Sequence, residues 1–231
     1  PGEVPTISKG PGWTWSSYRA GVYFSGNYVH LRDIKITHFE QADSYVWCNM
    51  RGEDFNHCIF ENLEFAYSGL GSYMTGKCDD NLFLNCDWHD QYDPITSGQS
   101  GTPYENGDGC NFENVAAGGK NTFRGCRCWN CTDDGLDVYN NDSYLLIENC
   151  WAWNCGYAKD NTTIGGDGNG FKLGPVTISA PTTVLRKIVN CIAYKNQSWG
   201  FQENNANCNM EVYNNTTYKN SFLVVFRKRE Y

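Results

Sequence analysis

Short runs in which apolar and polar residues alternate recur along this chain, each ending at Asn or Gly. Phe123-Arg-Gly-Cys-Arg-Cys-Trp-Asn-Cys131 aligns with Ile147-Glu-Asn-Cys-Trp-Ala-Trp-Asn-Cys155. Ile188-Val-Asn-Cys-Ile-Ala-Tyr-Lys-Asn196 and Val212-Tyr-Asn-Asn-Thr-Thr-Tyr-Lys-Asn220 continue the series. Weaker copies precede them at Leu84-Asn-Cys86, Glu61-Asn-Leu63 and Asp33-Ile34. The anchors at 34, 63, 86, 126, 150, 191 and 215 are 29, 23, 40, 24, 41 and 24 residues apart. That is a unit of about 24 residues, with insertions in two copies. Alternation with period two predicts a short strand, and the Asn or Gly a turn. Many such strands at a fixed period, with no helical periodicity, predict an all-β parallel solenoid of about seven or eight coils.

Stacking one coil on the next turns each repeat position into a column. Cys86, Cys126, Cys150 and Cys191 are expected inside, where a thiol packs as a small hydrophobe. Asn62, Asn85, Asn149, Asn190 and Asn214 fall at a turn, where stacked amides can bond along the column. Trp129, Trp153, Tyr194 and Tyr218 form an aromatic ladder. Cys131 and Cys155 share a column in neighbouring coils, within reach of a disulfide; stacked free thiols are the alternative. Cys128-Trp-Asn-Cys131 has no second pair at zinc-finger spacing.

A second motif, Gly-Φ-x-Φ with Φ apolar, recurs at Gly109-Cys-Asn-Phe112, Gly135-Leu-Asp-Val138 and Gly170-Phe-Lys-Leu173. A broken copy follows at Gly200-Phe-Gln-Glu203. Cys110, Leu136, Phe171 and Phe201 should point inward, and Asn111, Asp137, Lys172 and Gln202 outward in one column. Asp108 and Asp134 precede their glycines one coil apart, with Asp133 beside Asp134 and Asp137 one step along. Four carboxylates around one point repel by several kcal/mol at low effective dielectric. A hard cation with oxygen ligands, calcium above all, removes that cost; a solvated acidic edge is the other reading. Lys172, one coil beyond Asp137, has two readings on spacing alone. It is a base made neutral by an adjacent cation, or the ion-pair partner of Asp137.

Composition narrows the partners. The 231 residues fit one domain, 1–231, and include 12 Cys, 24 Gly, 26 Asn and 35 aromatics. A net charge of −8 argues against nucleic acid, and no apolar run reaches the ~20 residues of a membrane span. Cysteine content at this length does not make a disulfide scaffold. The chain starts at Pro1, so it is expected to be a fragment or core of something longer.

Asp108-Gly109, the run Asp133-Asp134-Gly135-Leu136-Asp137 and Gly168-Asn169-Gly170-Phe171-Lys172-Leu173-Gly174 resemble the family 9 polysaccharide lyases. The similarity runs from about Gly21 to Asn220. It implies a right-handed parallel β-helix, here without the family's N-terminal capping helix. It further implies that Asp108, Asp133, Asp134 and Asp137 bind calcium, and that Lys172 abstracts the C5 proton of a uronic-acid polymer, most simply polygalacturonate, in a β-elimination. Asn111, Gln202 and Asn204 are candidate sugar contacts. The insertions at 91–107 and 158–169 could wall a cleft. The implied partner is an acidic plant cell-wall polysaccharide, met by a secreted monomer. Two other functions fit an acidic solenoid. One is a polygalacturonase-like hydrolase, disfavoured because no His follows His89; the other is a non-catalytic, calcium-stabilised polysaccharide binder. His30, His38, His57 and His89 lack metal-ligand spacing and are expected to be structural.

Overall fold

A strand pair of this length cannot bury an apolar face alone; it must stack on copies of itself. In the computed structural model, which describes residues 2–11, 19–43, 45, 47–95, 102–177 and 184–225, it does so as a right-handed parallel β-helix. Three parallel sheets of eight, eight and seven strands run along it, and successive strands of one sheet come from successive coils. Among the described residues there is no helix, and so none able to cross a membrane.

The first sheet includes Glu64–Ser68, Asp87–Gln91, Arg127–Cys131, Trp151–Trp153, Ile192–Tyr194 and Thr216–Tyr218. The second runs Ala20–Asn27, Cys48–Asn56, Leu70–Gly76, Cys110–Val115, Leu136–Asp137, Phe171–Lys172, Trp199–Gln202 and Phe222–Val225. The third includes Ile59–Glu61, Asn81–Leu84, Lys120–Arg124, Tyr144–Glu148, Val184–Val189 and Asn209–Tyr213. Pairing of Arg124 with Leu84 and Glu148, and of Glu148 with Val189, sets the expected cysteine column in register. All four of its cysteines are buried.

Rings stack inside the tube. Phe83 lies 4.9 Å from Phe60 and 4.6 Å from Phe123, stacked nearly parallel to both. Phe171 and Phe201 stack at 4.9 Å. Buried amides satisfy the backbone at the corners: Asn81 Nδ2 donates to Phe55 O and Asn121 Oδ1, and Asn196 Nδ2 to Ala152 O and Asn220 Oδ1. The Trp129–Trp153 and Tyr194–Tyr218 pairs stack at 4.7 and 5.9 Å on the outer surface, with His89 continuing the ladder 4.3 Å from Trp129. His89 also bonds Glu64 and Asp90.

The Asn column faces solvent, and backbone conformation selects it. Asn62, Asn85, Asn149, Asn190 and Asn214 have φ of 53°, 52°, 55°, 55° and 55°, the left-handed region that Asn tolerates. Gly125 fills the intervening rung at φ 66°. Cys131 and Cys155 take the free-thiol alternative: all twelve thiols are free, and these two donate to Trp129 O and Trp153 O.

Phe83 touches aromatic rings in the coils on both sides, so Phe83→Ala should cost about 3–5 kcal/mol. Urea denaturation followed by tyrosine and tryptophan fluorescence would measure the loss.

Candidate acidic and lysine site on the second sheet

Five glycines stand one above another where the chain enters the second sheet. A Cβ on Gly71 would lie 2.1 Å from Gly109 O, on Gly109 2.6 Å from Gly135 O, and on Gly135 2.6 Å from Gly170 O. On Gly170 it would lie 2.8 Å from Gly200 O. Each coil thus leaves room only for hydrogen under the carbonyl of the next, which explains the glycine of the Gly-Φ-x-Φ motif. The residues flanking these glycines are locked in register as a result. Asn111 pairs with Asp137, Asp137 with Lys172, and Lys172 with Gln202, while the Φ residues Cys110, Leu136, Phe171 and Phe201 are buried.

The acids converge. Asp108, Asp133 and Asp134 each offer a carboxylate oxygen, all within 4.8 Å of one another. Asp137 is not one of these three, yet of the neighbouring charges its own weighs most on Asp108, and it shares the lysine with Asp134. Lys172 Nζ lies 3.0 Å from Asp134 Oδ2, 3.2 Å from Asp137 Oδ2 and 3.0 Å from Asp167 Oδ2. The four predicted acids and Lys172 are 0–8% exposed. Backbone amides orient them: Asp134 N donates to Asp108 Oδ1, Asn169 N to Asp134 Oδ1, and Asp167 N to Asp133 Oδ1. With only the protein's own charges present, the ion-pair reading of Lys172 is the one this geometry displays.

Burial, first, and mutual repulsion, second, hold the Asp108 and Asp133 carboxyls well above the usual carboxylate range. Burial likewise raises Asp134, partly offset by Lys172, and pushes Asp137 up to about 7. Burial alone would lower the Lys172 ammonium; attraction by Asp134, Asp137, Asp133 and Asp108 reverses this and raises it. Buried carboxyls that resist ionisation, with Asp137 Oδ1 lacking any hydrogen-bond partner among the described residues, are the donor set a hard cation satisfies.

The proposed sugar contacts divide. Asn111 Oδ1 and Gln202 Oε1 are buried without partners among the described residues, on either side of the Asp137–Lys172 pair. Asn204 instead sits at a left-handed turn, φ 43°, with Nδ2 donating to Gly174 O. Residues 96–101 of the first insertion lie outside the described residues. The second insertion delivers Asp167, which the sequence reading missed. Gly165 and Gly166 let it approach, since Cβ atoms there would meet Thr132 O at 2.1 Å and Asp133 Oδ1 at 2.4 Å. The run Gly165-Gly166-Asp167-Gly168 was the available signal. Asp93 was missed too: fully buried and pushed up to about 7 by burial, it accepts from Thr132 Oγ1 and Asn106 N beside the trio.

Across residues 3–230 the chain matches a family model described as the Pel9A-like, right-handed β-helix region. It is 32% identical over 211 residues to pectate lyase L of Dickeya chrysanthemi, covering 90% of this chain and 45% of that relative. To pectate lyase PEL9 of Emericella nidulans it is 31% identical over 168 residues, covering 65% and 39%. The chain therefore spans less than half the length of these two curated relatives. Among solved structures, the crystal structure of pectate lyase Pel9A superposes with a TM-score of 0.71 at 28% identity, covering 93% of this chain and 50% of that one. A rhamnogalacturonan lyase gives 0.64 at 26% identity, covering 80% and 46%.

All four acids have raised folded-state pKa values, so the folded state holds its protons to higher pH than the unfolded chain. For Asp137 the stabilising contribution is complete below the ordinary Asp value near 3.8 and is lost as pH climbs through about 7, and Asp108, Asp133 and Asp134 shift in the same direction. In chelator, thermal stability should fall between pH 4.5 and 7.5 (~3 pH units), and Asp137→Asn should flatten that fall. Differential scanning calorimetry across that range measures both.

Proposed function

Because the chain belongs to the Pel9A-like right-handed β-helix family, we propose that it carries the active site of a calcium-dependent polysaccharide lyase. The substrate is a uronic-acid polymer, polygalacturonate first, cleaved by β-elimination. One observation supports this reading above others: a single lysine amine lies 3.0 Å from Asp134, a member of the three-carboxylate cluster, and 3.2 Å from Asp137, its neighbour on the outward column.

Asp108, Asp133 and Asp134 would hold the ion, with Asp137 at its margin. When bound, calcium supplies Lewis-acid withdrawal of charge from a substrate carboxylate, which acidifies the proton on the adjoining C5. Lys172 then acts as the base. Its amine takes the C5 proton, the C–H electron pair becomes the C4–C5 double bond, and the C4–O4 bond breaks with its electrons on O4, which water protonates. With a divalent ion held by those carboxylates, they would favour the ammonium less and the added positive charge would oppose it, leaving Lys172 able to act as the neutral base. Activity should accordingly rise toward alkaline pH. Asn111 and Gln202, with unpaired buried oxygens on either side of the Asp137–Lys172 pair, accept hydrogen bonds from sugar hydroxyls. Such an enzyme meets its substrate in plant cell walls, so a secreted monomer is the expected form.

The decisive assay follows ultraviolet absorbance of the unsaturated product on polygalacturonate and rhamnogalacturonan side by side. Activity should disappear in EGTA, return with calcium, and fall at least 10³-fold in Lys172→Ala. Product formed at the parental rate by Lys172→Ala would exclude this mechanism. Independently, calcium at a hundredfold its Kd should stabilise the protein by about 2.7 kcal/mol. At one fixed calcium concentration the gain should be larger at pH 8 than at pH 5, where the carboxyls keep their protons and the Kd is weaker. A thermal-shift titration with magnesium as comparison tests it.

A further inference from the structure

The outward column that holds Asp137 and Lys172 extends well past them. From the N-terminal side it reads Tyr23, Arg51, Tyr73, Asn111, Asp137, Lys172, Gln202 and Val225, each paired in register with the next. Two of these eight residues are cations, Arg51 and Lys172. Four coil steps of ~4.8 Å put them about 19 Å apart, on the line a polymer follows if it lies along the tube.

Arg51 is built to receive an anion. Glu53 Oε1 takes Nε at 2.7 Å and Nη2 at 2.5 Å, occupying one edge of the guanidinium fork. Glu53 is itself held, its Oε2 accepting from Tyr23 OH at 3.1 Å. The guanidinium carbon stands 5.3 Å from the Tyr73 ring centroid, which borders it on the side nearer Lys172. Nη1 has no partner among the described residues, so the Nη1–Nη2 end of the fork is open, and the side chain is 35% exposed. A guanidinium presents two such edges and can bridge two carboxylates, each in plane. Glu53 cancels much of the local charge while fixing the plane, so the open edge selects by geometry more than by field. Glu113, which interacts with Tyr73 and Asn111, has its carboxyl raised by burial.

We propose that Arg51 is a specificity-determining residue that binds a uronate carboxylate of the substrate chain four coils from Lys172, so that the site favours long anionic oligomers over short ones. The assignment rests on the uronan reading of the site, but its test does not need turnover. In a Lys172→Ala background with calcium present, isothermal titration calorimetry compares trigalacturonate, hexagalacturonate and carboxyl-reduced hexamer. Adding Arg51→Gln should weaken hexagalacturonate binding about tenfold and leave the trimer, too short to span four coils, unchanged. The carboxyl-reduced hexamer should bind the parent and the variant alike. Arg51→Lys, which keeps the charge without the fork, should recover only part of the loss; if Arg51→Gln does not fold, this variant decides alone. No hexamer binding by the parent, an equal loss on both lengths, or full recovery with lysine would overturn the assignment. Arg51-dependent hexamer binding by a wild-type protein that forms no unsaturated product would keep the subsite and remove the lyase.

Discussion

Parallel hydrogen-bond pairing in strict register is the constraint on which the site depends. Residues far apart in sequence, such as Asn111, Asp137 and Lys172, are brought to successive rungs because each strand pairs with its equivalent one coil away. A slip of one residue in any coil would turn these groups into the apolar interior and bring Cys110, Leu136 or Phe171 out. The glycine column enforces the register sterically, and the stacked phenylalanines inside reinforce it through dispersion and burial.

That rigidity has an electrostatic consequence. Asp108, Asp133, Asp134 and Asp137 cannot move apart to relieve their repulsion, since strand pairing and backbone amide donors fix them. The stress is instead expressed as raised carboxyl pKa values and as a lysine held among three carboxylates. A site under such stress is preorganised for cationic charge, and preorganisation is how a fold supplies electrostatic stabilisation without rearranging during the reaction.

Much of this was legible in the sequence because repetition made it so. Cys126, Cys150 and Cys191 could be aligned on one another, and the Gly-Φ-x-Φ motif named the outward residues before any coordinate did. What repetition could not carry was less accessible. Asp167 and Asp93 lie in or beside insertions that have no counterpart in other coils, so no alignment within the chain pointed to them. Which three of the four acids form the Asp108–Asp133–Asp134 trio depends on side-chain directions that spacing does not encode. Asn204 shows the converse failure: an Asn near the site is also a good left-handed turn residue, and its amide is engaged on Gly174 O. Arg51 escaped notice because Gly-Φ-x-Φ lapses in its coil, although the same column runs through it.

The buried thiols carry one further implication. Each thiol of the Cys86, Cys126, Cys150 and Cys191 column points its hydrogen at a main-chain oxygen of its own or the preceding coil, with no sulfur bonded to another. Folding of this tube thus calls for no disulfide among these buried thiols, and glutathione in excess has no linkage to undo. A chain rich in cysteine can in this way be indifferent to the redox poise of whatever compartment it folds in.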